Sequence, residues 1–314
     1  MTVHQFKPTE YHTTFGSHAP VLRIADGDSV NTTTVDARGY DASGEQVTER
    51  GNPQTGPFYV EGAEPGDAVS IRIDRAYPNR RTGWTNNAVA EHVVDPTYVK
   101  ALPERELVTW ELDLDAGMAR IAPASAVGQL GGLASLVLPL APMLGCLGVA
   151  PPGGQAIATA TSGTYGGNMD YRGLMAGATV TFPVFAPGAL IHLGDGHAVQ
   201  GDGEIVGTGI ETSFDVEFTV WLHKDMEMTW PRGENAGYIF TIGNARPLEQ
   251  AVQHATSEML RWLQNGYGLS AESAGTLLGQ VVAYDVGNIY DPAYTMVCKV
   301  PKWALTHLPL VAGS

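Results

Sequence analysis

Cysteine is nearly absent. Only Cys146 and Cys298 occur in 314 residues, too few for a disulfide framework, and each stands in apolar company ("LGCLG", "TMVCKV"). Both read as buried, reduced thiols, which fits a cytoplasmic protein. Basic residues are scarce as well: 18 Lys and Arg against 33 Asp and Glu leave a net charge of −15. No basic stripe exists to displace phosphate counterions, so the sequence excludes nucleic acid and disfavours anionic membrane surfaces. Such a field suits a neutral or cationic small molecule. The opening "MTVHQFKPTEYHTTFG" lacks an apolar run, so no secretory signal is expected there. Between Arg120 and Asp170 there is neither a charged residue nor a histidine, and "LASLVLPLAPMLGCLGVAPPGG" is about the length of a membrane span. Pro139 and Pro142 would break a helix midway and no basic flank is present, so buried loops and short strands are expected instead. GxSxG, P-loop, HExxH and SxxK motifs are all missing, which removes the usual nucleotide and serine-nucleophile readings.

What is present is alternation. "AVSIRID" puts Val69, Ile71 and Ile73 on one face, "VTWELDLD" does so with Val108, Trp110, Leu112 and Leu114, and "SFDVEFTVWL" with Phe214, Val216, Phe218, Val220 and Leu222. Turn signals separate these strands at Asp26-Gly27, at 64–67 and at 186–188. "GDSV" at 27–30 and "GDAV" at 66–69 are alike, but a turn-to-strand junction arises readily in β proteins and does not make a repeat. After Pro247 the pattern changes to a helical one, with Leu248, Val252, Ala255, Met259 and Leu263 at three- and four-residue spacing and a stop predicted at Gly266. A second helix is predicted from Ser270 to about Val282, with Ser270 as N-cap, and "YTMVCKV" reads as a closing strand. The expected architecture is mainly β, a sandwich or barrel with a C-terminal helical hairpin, α+β overall. No linker divides it, so one unit over 1–314 is expected: β-rich 1–245, hairpin 247–282, closing strand 293–301.

Chemistry concentrates in "HLGDGHAVQGDGE", residues 192–204, where two histidines and three carboxylates stand among four glycines. In an extended chain Asp195 and His197 share a face, as do Asp202 and Glu204. A carboxylate and an imidazole side by side suit Zn²⁺, Mn²⁺ or Fe²⁺, with a nearby free carboxylate as base. The same residues also fit an acidic turn in water. His192 falls on the other face and reads as a partner or wall residue. In "SGTYGGNMDYRGL", Asn168, Asp170 and Arg172 share a face if the chain is extended, and Asp170, rising from an apolar stretch, needs a metal, a substrate amide or Arg172 as partner.

"NPQTGPFYVEGAEPGDAVSIRI", "LGCLGVAP", "GGNMDYRGLMAGATVTFPVFAPGALIHLGDGHAVQGDGEIVGTGIE" and the late "VPK" follow one another as in the acetamidase/formamidase family, which the chain resembles from about residue 20 to residue 302. The resemblance implies a β-rich fold, a divalent metal (zinc, with calcium as the other candidate), hydrolysis of a small carboxamide to carboxylate and ammonia, and a homo-oligomer. It maps Asn168 and Asp170 onto "GGNxD", Asp195, His197, Gln200, Asp202 and Glu204 onto "GDxHxxQGDGE", and Glu211 onto the end of "GTGIE". Tyr165 stands where the family often has histidine, and His192 where it commonly has another residue. Either departure points to a substrate other than formamide or acetamide, and the insertion "YPNRRTGWTNNAV" is placed to shape the pocket, with Trp84 available as an apolar wall.

The expected mechanism has Asp195, His197 and Asp170 holding the metal and Glu204 moving the proton. Asn168 and Gln200 orient the amide or steady the oxyanion, and ligand and base roles are interchangeable among Asp195, Asp202 and Glu204. The competing readings are a cupin-like metal oxygenase or isomerase, which needs closely spaced histidines, and a binding protein without a water-activating metal.

Overall fold

The computed structural model describes residues 1–125 and 128–308. Residues 126–127, in the uncharged stretch, and 309–314, at the end of the expected single unit, lie outside the described residues. The fold is mainly β with two helices, α+β overall.

Two large sheets form it. In the first, Ala68–Pro78 pairs with Phe214–His223 on one side and Thr179–Pro183 on the other, and the sheet continues through Arg232–Glu234, Tyr238–Ala245 and Tyr294–Pro301 to the edge strand Ala283–Asn288. In the second, Ile191–His197 lies between Met143–Gly148 and the short strand Glu211–Thr212, beyond which run Thr82–Asn86 and Leu107–Asp113. Ala68–Pro78 packs across onto Met143–Gly148 and Ile191–His197, so the sheets face each other as a sandwich. The alternation read from sequence supplies its core: Val69, Ile71 and Ile73 meet Leu144, Leu147, Ile191 and Leu193, all buried. The uncharged stretch includes Met143–Gly148, buried at every position, and no helix among the described residues is long and apolar enough to cross a membrane.

The first helix, Leu248–Tyr267, lays Ala251, Ala255, Met259 and Leu263 on the first sheet against Ile239, Cys298 and Val300. It does not stop at Gly266. It runs on through Tyr267, and Gly268, with φ 65°, caps it by returning its N–H to the Leu263 carbonyl. The second helix, Ala271–Val281, has the Ser270 hydroxyl accepting from the Ser273 N–H. The hairpin ends at Ala283–Asn288, a strand without a sequence signal, whose last residue bridges to Gly203. That contact brings the edge of the first sheet to the chemistry of the second.

Candidate active site

Four neighbouring strands of the second sheet build the site. Cys146 pairs with Asn168 across one ladder, and His197 pairs with Glu211 across another. Asp170, Asp195 and Glu204 have φ of 45°, 59° and 48°, and Asn52 one of 58°. Non-glycine residues rarely adopt the left-handed region, at a cost of roughly 1–2 kcal/mol each. Here it turns these side chains out of the strand direction and onto one centre. Gly145 leaves room for them: a Cβ there would collide with Asp170 Oδ1 and lie 2.6 Å from Asp195 Oδ2.

Ligand atoms of Asp170, Asp195 and His197 lie within 4.8 Å of one another, as do those of His197, Glu204 and Glu211 and those of Asp170, Glu204 and Asp291. His197 Nδ1 stands 2.7 Å from Gln200 Oε1, while Gln200 Nε2 donates to the Asp170 carbonyl at 2.6 Å. The amide is thereby fixed with its oxygen toward the ring, so Nδ1 carries a proton and Nε2 is the nitrogen that faces the acids. Nε2 lies 2.8 Å from Glu211 Oε1 and 3.4 Å from Asp195 Oδ1, yet neither contact has hydrogen-bond alignment. Asp170 Oδ1 and Glu211 Oε2 also have no hydrogen-bond partner.

Such crowding of buried carboxylates requires positive charge. Among the described residues no lysine or arginine forms an ion pair with Asp170, Asp195, Glu204, Glu211 or Asp291. Burial, reinforced by Asp195 and Asp291, pushes the Asp170 carboxyl well above the usual carboxylate range, and burial with Asp170 does the same to Glu204. Burial raises Glu211 and Asp291 each to about 7. Burial would raise Asp195 too, but His197 outweighs it and holds that carboxyl low. Unpartnered atoms on an imidazole and two carboxylates, buried and within reach of one another, fit a divalent cation.

A cavity of about 650 Å³ opens onto this cluster, with Asn168, Asp195, Glu204, Glu211 and Asp291 at its floor. A larger surface hollow, about 850 Å³, is lined by Phe6, Tyr11, Thr32 and Val216 and touches none of these groups.

Not every residue singled out from sequence converges. Asp202 is exposed and bonds Arg172, Nε to Oδ1 at 2.6 Å, so it is removed from the acid–base set. The extended-chain rule fails here because residues 201–207 form turns, with Gly203 at φ 83°. Arg172 leaves Asn168 and Asp170 for the same reason: the strand ends at Asn168. Gln200 has both amide atoms engaged and is a positioning residue, not an oxyanion donor. Tyr165 is buried against Phe15, its hydroxyl donating to the Thr161 carbonyl at 3.3 Å. His192 packs with Phe15, His12 and His18, its Nδ1 donating to the Leu190 carbonyl, away from His197. The histidine pair that a cupin-type site requires is therefore absent from the cluster.

Asn288, Asp291 and Cys146 were missed. Asn288 donates through Nδ2 to Asp170 Oδ2 at 2.6 Å, Glu204 Oε2 at 2.8 Å and Asp291 Oδ2 at 3.0 Å. Its Oδ1 accepts from the backbone of Tyr290 and Asp291, an Asx turn that "NIYDP" announces in sequence. Cys146, expected to be inert core, lies beneath the site with Sγ 2.6 Å from Asn168 Oδ1.

Residues 152–288 match the Acetamidase/Formamidase family. The crystal structure of acetamidase from Yersinia enterocolitica is 30% identical, with a TM-score of 0.81 over 97% of this chain and 93% of that one. The chain belongs to the acetamidase/formamidase family. Acetamidase from Mycolicibacterium smegmatis is 31% identical over 170 residues, and formamidase from Methylophilus methylotrophus 27% over 223. Those matches cover 39% and 51% of the relatives' own lengths, so the chain spans about half or less of each. Family membership accounts for the ordered run of motifs from "GGNMD" to "GTGIE" that meets at this cavity.

Proposed function

We propose that the protein hydrolyses a carboxamide to a carboxylate and ammonia, with a divalent cation held by Asp195, His197 and Asp170. The observation that carries the proposal is His197 Nε2, buried among carboxylates without a hydrogen-bond partner. The relatives named acetamidase and formamidase support the amide as substrate class. Bound there, zinc or calcium supplies Lewis acidity that acidifies water and polarises a carbonyl.

The chain's own residues do the rest. Glu204, at the cavity floor and oriented by Asn288, accepts a proton from the attacking water as its oxygen bonds to the carbonyl carbon. The same carboxyl returns that proton to the nitrogen as the C–N bond breaks, releasing ammonia. Asn168, held by Asp170 and Asp291, fixes the acids in place, and Glu211 faces His197 from the opposite strand.

The test is ammonia release from formamide, acetamide and longer amides, with metal content measured on the same samples. Glu204→Gln loses turnover and retains metal. Loss of metal in proportion to activity makes Glu204 a ligand, and ammonia release from chelator-stripped protein overturns the proposal.

A further inference from the structure

We infer that the substrate carries a carboxylate besides its carboxamide, bound by Arg38 and Arg50 at the cavity mouth; this rests on the amide-hydrolysis reading. Although the whole chain bears −15, the mouth of this cavity is locally basic: Arg38, Arg50 and Arg105 all line it. Arg105 is occupied, bonding the Tyr290 hydroxyl and the Val206 carbonyl. Arg38 and Arg50 form no ion pair among the described residues. The acid closest to Arg38 in sequence, Asp36, is fully engaged. Its Oδ2 accepts from Arg80 at 2.6 Å and from Trp84 Nε1 at 3.1 Å, and its Oδ1 accepts from the backbone of Arg38 and Tyr40. Glu49 shares a neighbouring hollow with both arginines and pairs with neither.

The backbone that carries the two arginines is held in place. Asp36, buried, fixes the loop that carries Arg38, and the Arg38 guanidinium lies 5.5 Å from the Trp84 ring. The Ala37 carbonyl accepts from Gly51 and Asn52, which ties the segment bearing Arg50 alongside. Asn52 then reaches the floor, donating to Asn168 Oδ1 at 3.1 Å. One short segment thus joins the mouth to the acids. Size points the same way: about 650 Å³ lies within the ~300–1,000 Å³ of sites that enclose far larger ligands than a two-carbon amide. Paired planar forks at the mouth match a carboxylate.

Matched substrates test this. Succinamate and glutaramate are compared with 4-oxopentanamide and 5-oxohexanamide, in which a methyl ketone replaces the carboxylate. The anionic member of each pair has the higher kcat/KM, by ~10–100-fold, the worth of charge-assisted hydrogen bonds. That ratio falls toward one in the Arg38→Gln/Arg50→Gln double variant and shrinks with ionic strength. Equal or faster turnover of the ketones, or an unchanged ratio in the double variant, overturns the inference. Calorimetric binding of succinate is an independent arm: weaker binding to the double variant supports the inference, and equal affinity refutes it. Should no amide of either series release ammonia, the hydrolysis reading fails, while the succinate arm still decides on anion recognition.

Discussion

The side-chain oxygen of Gln200 accepts the Nδ1 proton of His197 at 2.7 Å, and this one bond decides which imidazole nitrogen faces the acids. Gln200→Leu removes the acceptor and frees the ring to take the other tautomer. Metal affinity is expected to fall about 10–100-fold, as for other residues that orient a ligand from behind. Competition with a chromogenic chelator measures it, and unchanged affinity means that Nε2 is not a ligand.

Removing the cation should reverse the effect of neutralising an acid. In chelator-treated protein at neutral pH, Glu204→Gln takes one member out of a crowd of buried carboxylates and is expected to unfold later than wild type, by on the order of 1–3 kcal/mol. Added zinc stabilises the wild type in proportion to the logarithm of its concentration. Denaturant titrations with and without zinc read both effects. A variant no more stable than wild type in chelator shows that the acids are not in conflict.

Gly145→Ala places a methyl group against Asp170 and Asp195 without altering a charge. Metal binding and turnover are expected to be lost together, with a stability cost of about 1–3 kcal/mol from overpacking. Activity close to wild type would show that the acids move aside freely.

Acid stability separates two histidines. Burial, aided by His18, pushes His192 down to about 3, so below pH 6.5 the unfolded chain takes up a proton that the folded one refuses. Stability is therefore lost as pH falls below 6.5, by about 1.4 kcal/mol per pH unit for this group. His192→Leu flattens that limb in urea titrations between pH 7 and 4.5. Asp28 acts lower down: a hydrogen bond from His4 takes its carboxyl to about 2, so its stabilisation is present above the ordinary carboxylate range and disappears as pH falls toward 2. His4→Ala should lower stability above that window and flatten its loss within it. A slope above pH 5 that survives His192→Leu assigns the loss to other groups.

Both helices and several strands were legible because buried apolar residues recur every two positions at Val69, Ile71 and Ile73 and every four at Ala251, Ala255, Met259 and Leu263. Asp195 and His197 were legible as a pair because both lie in the strand Ile191–His197, although Asp195 reaches the cluster through a left-handed backbone that spacing does not announce. Asp202 misled because the strand ends before it, and two-residue spacing then carries no direction. Asn288 and Asp291 were out of reach because they approach from the far edge of the other sheet, at a separation of 118 residues for the Asn288–Asp170 bond. The basic mouth was equally hidden, since net charge averages over a surface and says nothing of one opening.

The left-handed backbone at Asp170, Asp195 and Glu204 narrows the mutational routes open to this gene. Aspartate and asparagine tolerate that conformation better than longer or branched side chains, and glycine accepts it freely. Replacing Asp170 or Asp195 by glutamate is then no conservative step, because backbone shape and chemistry are selected at once. In lineages that abandon the reaction, glycine and asparagine should be the first residues to appear at these positions.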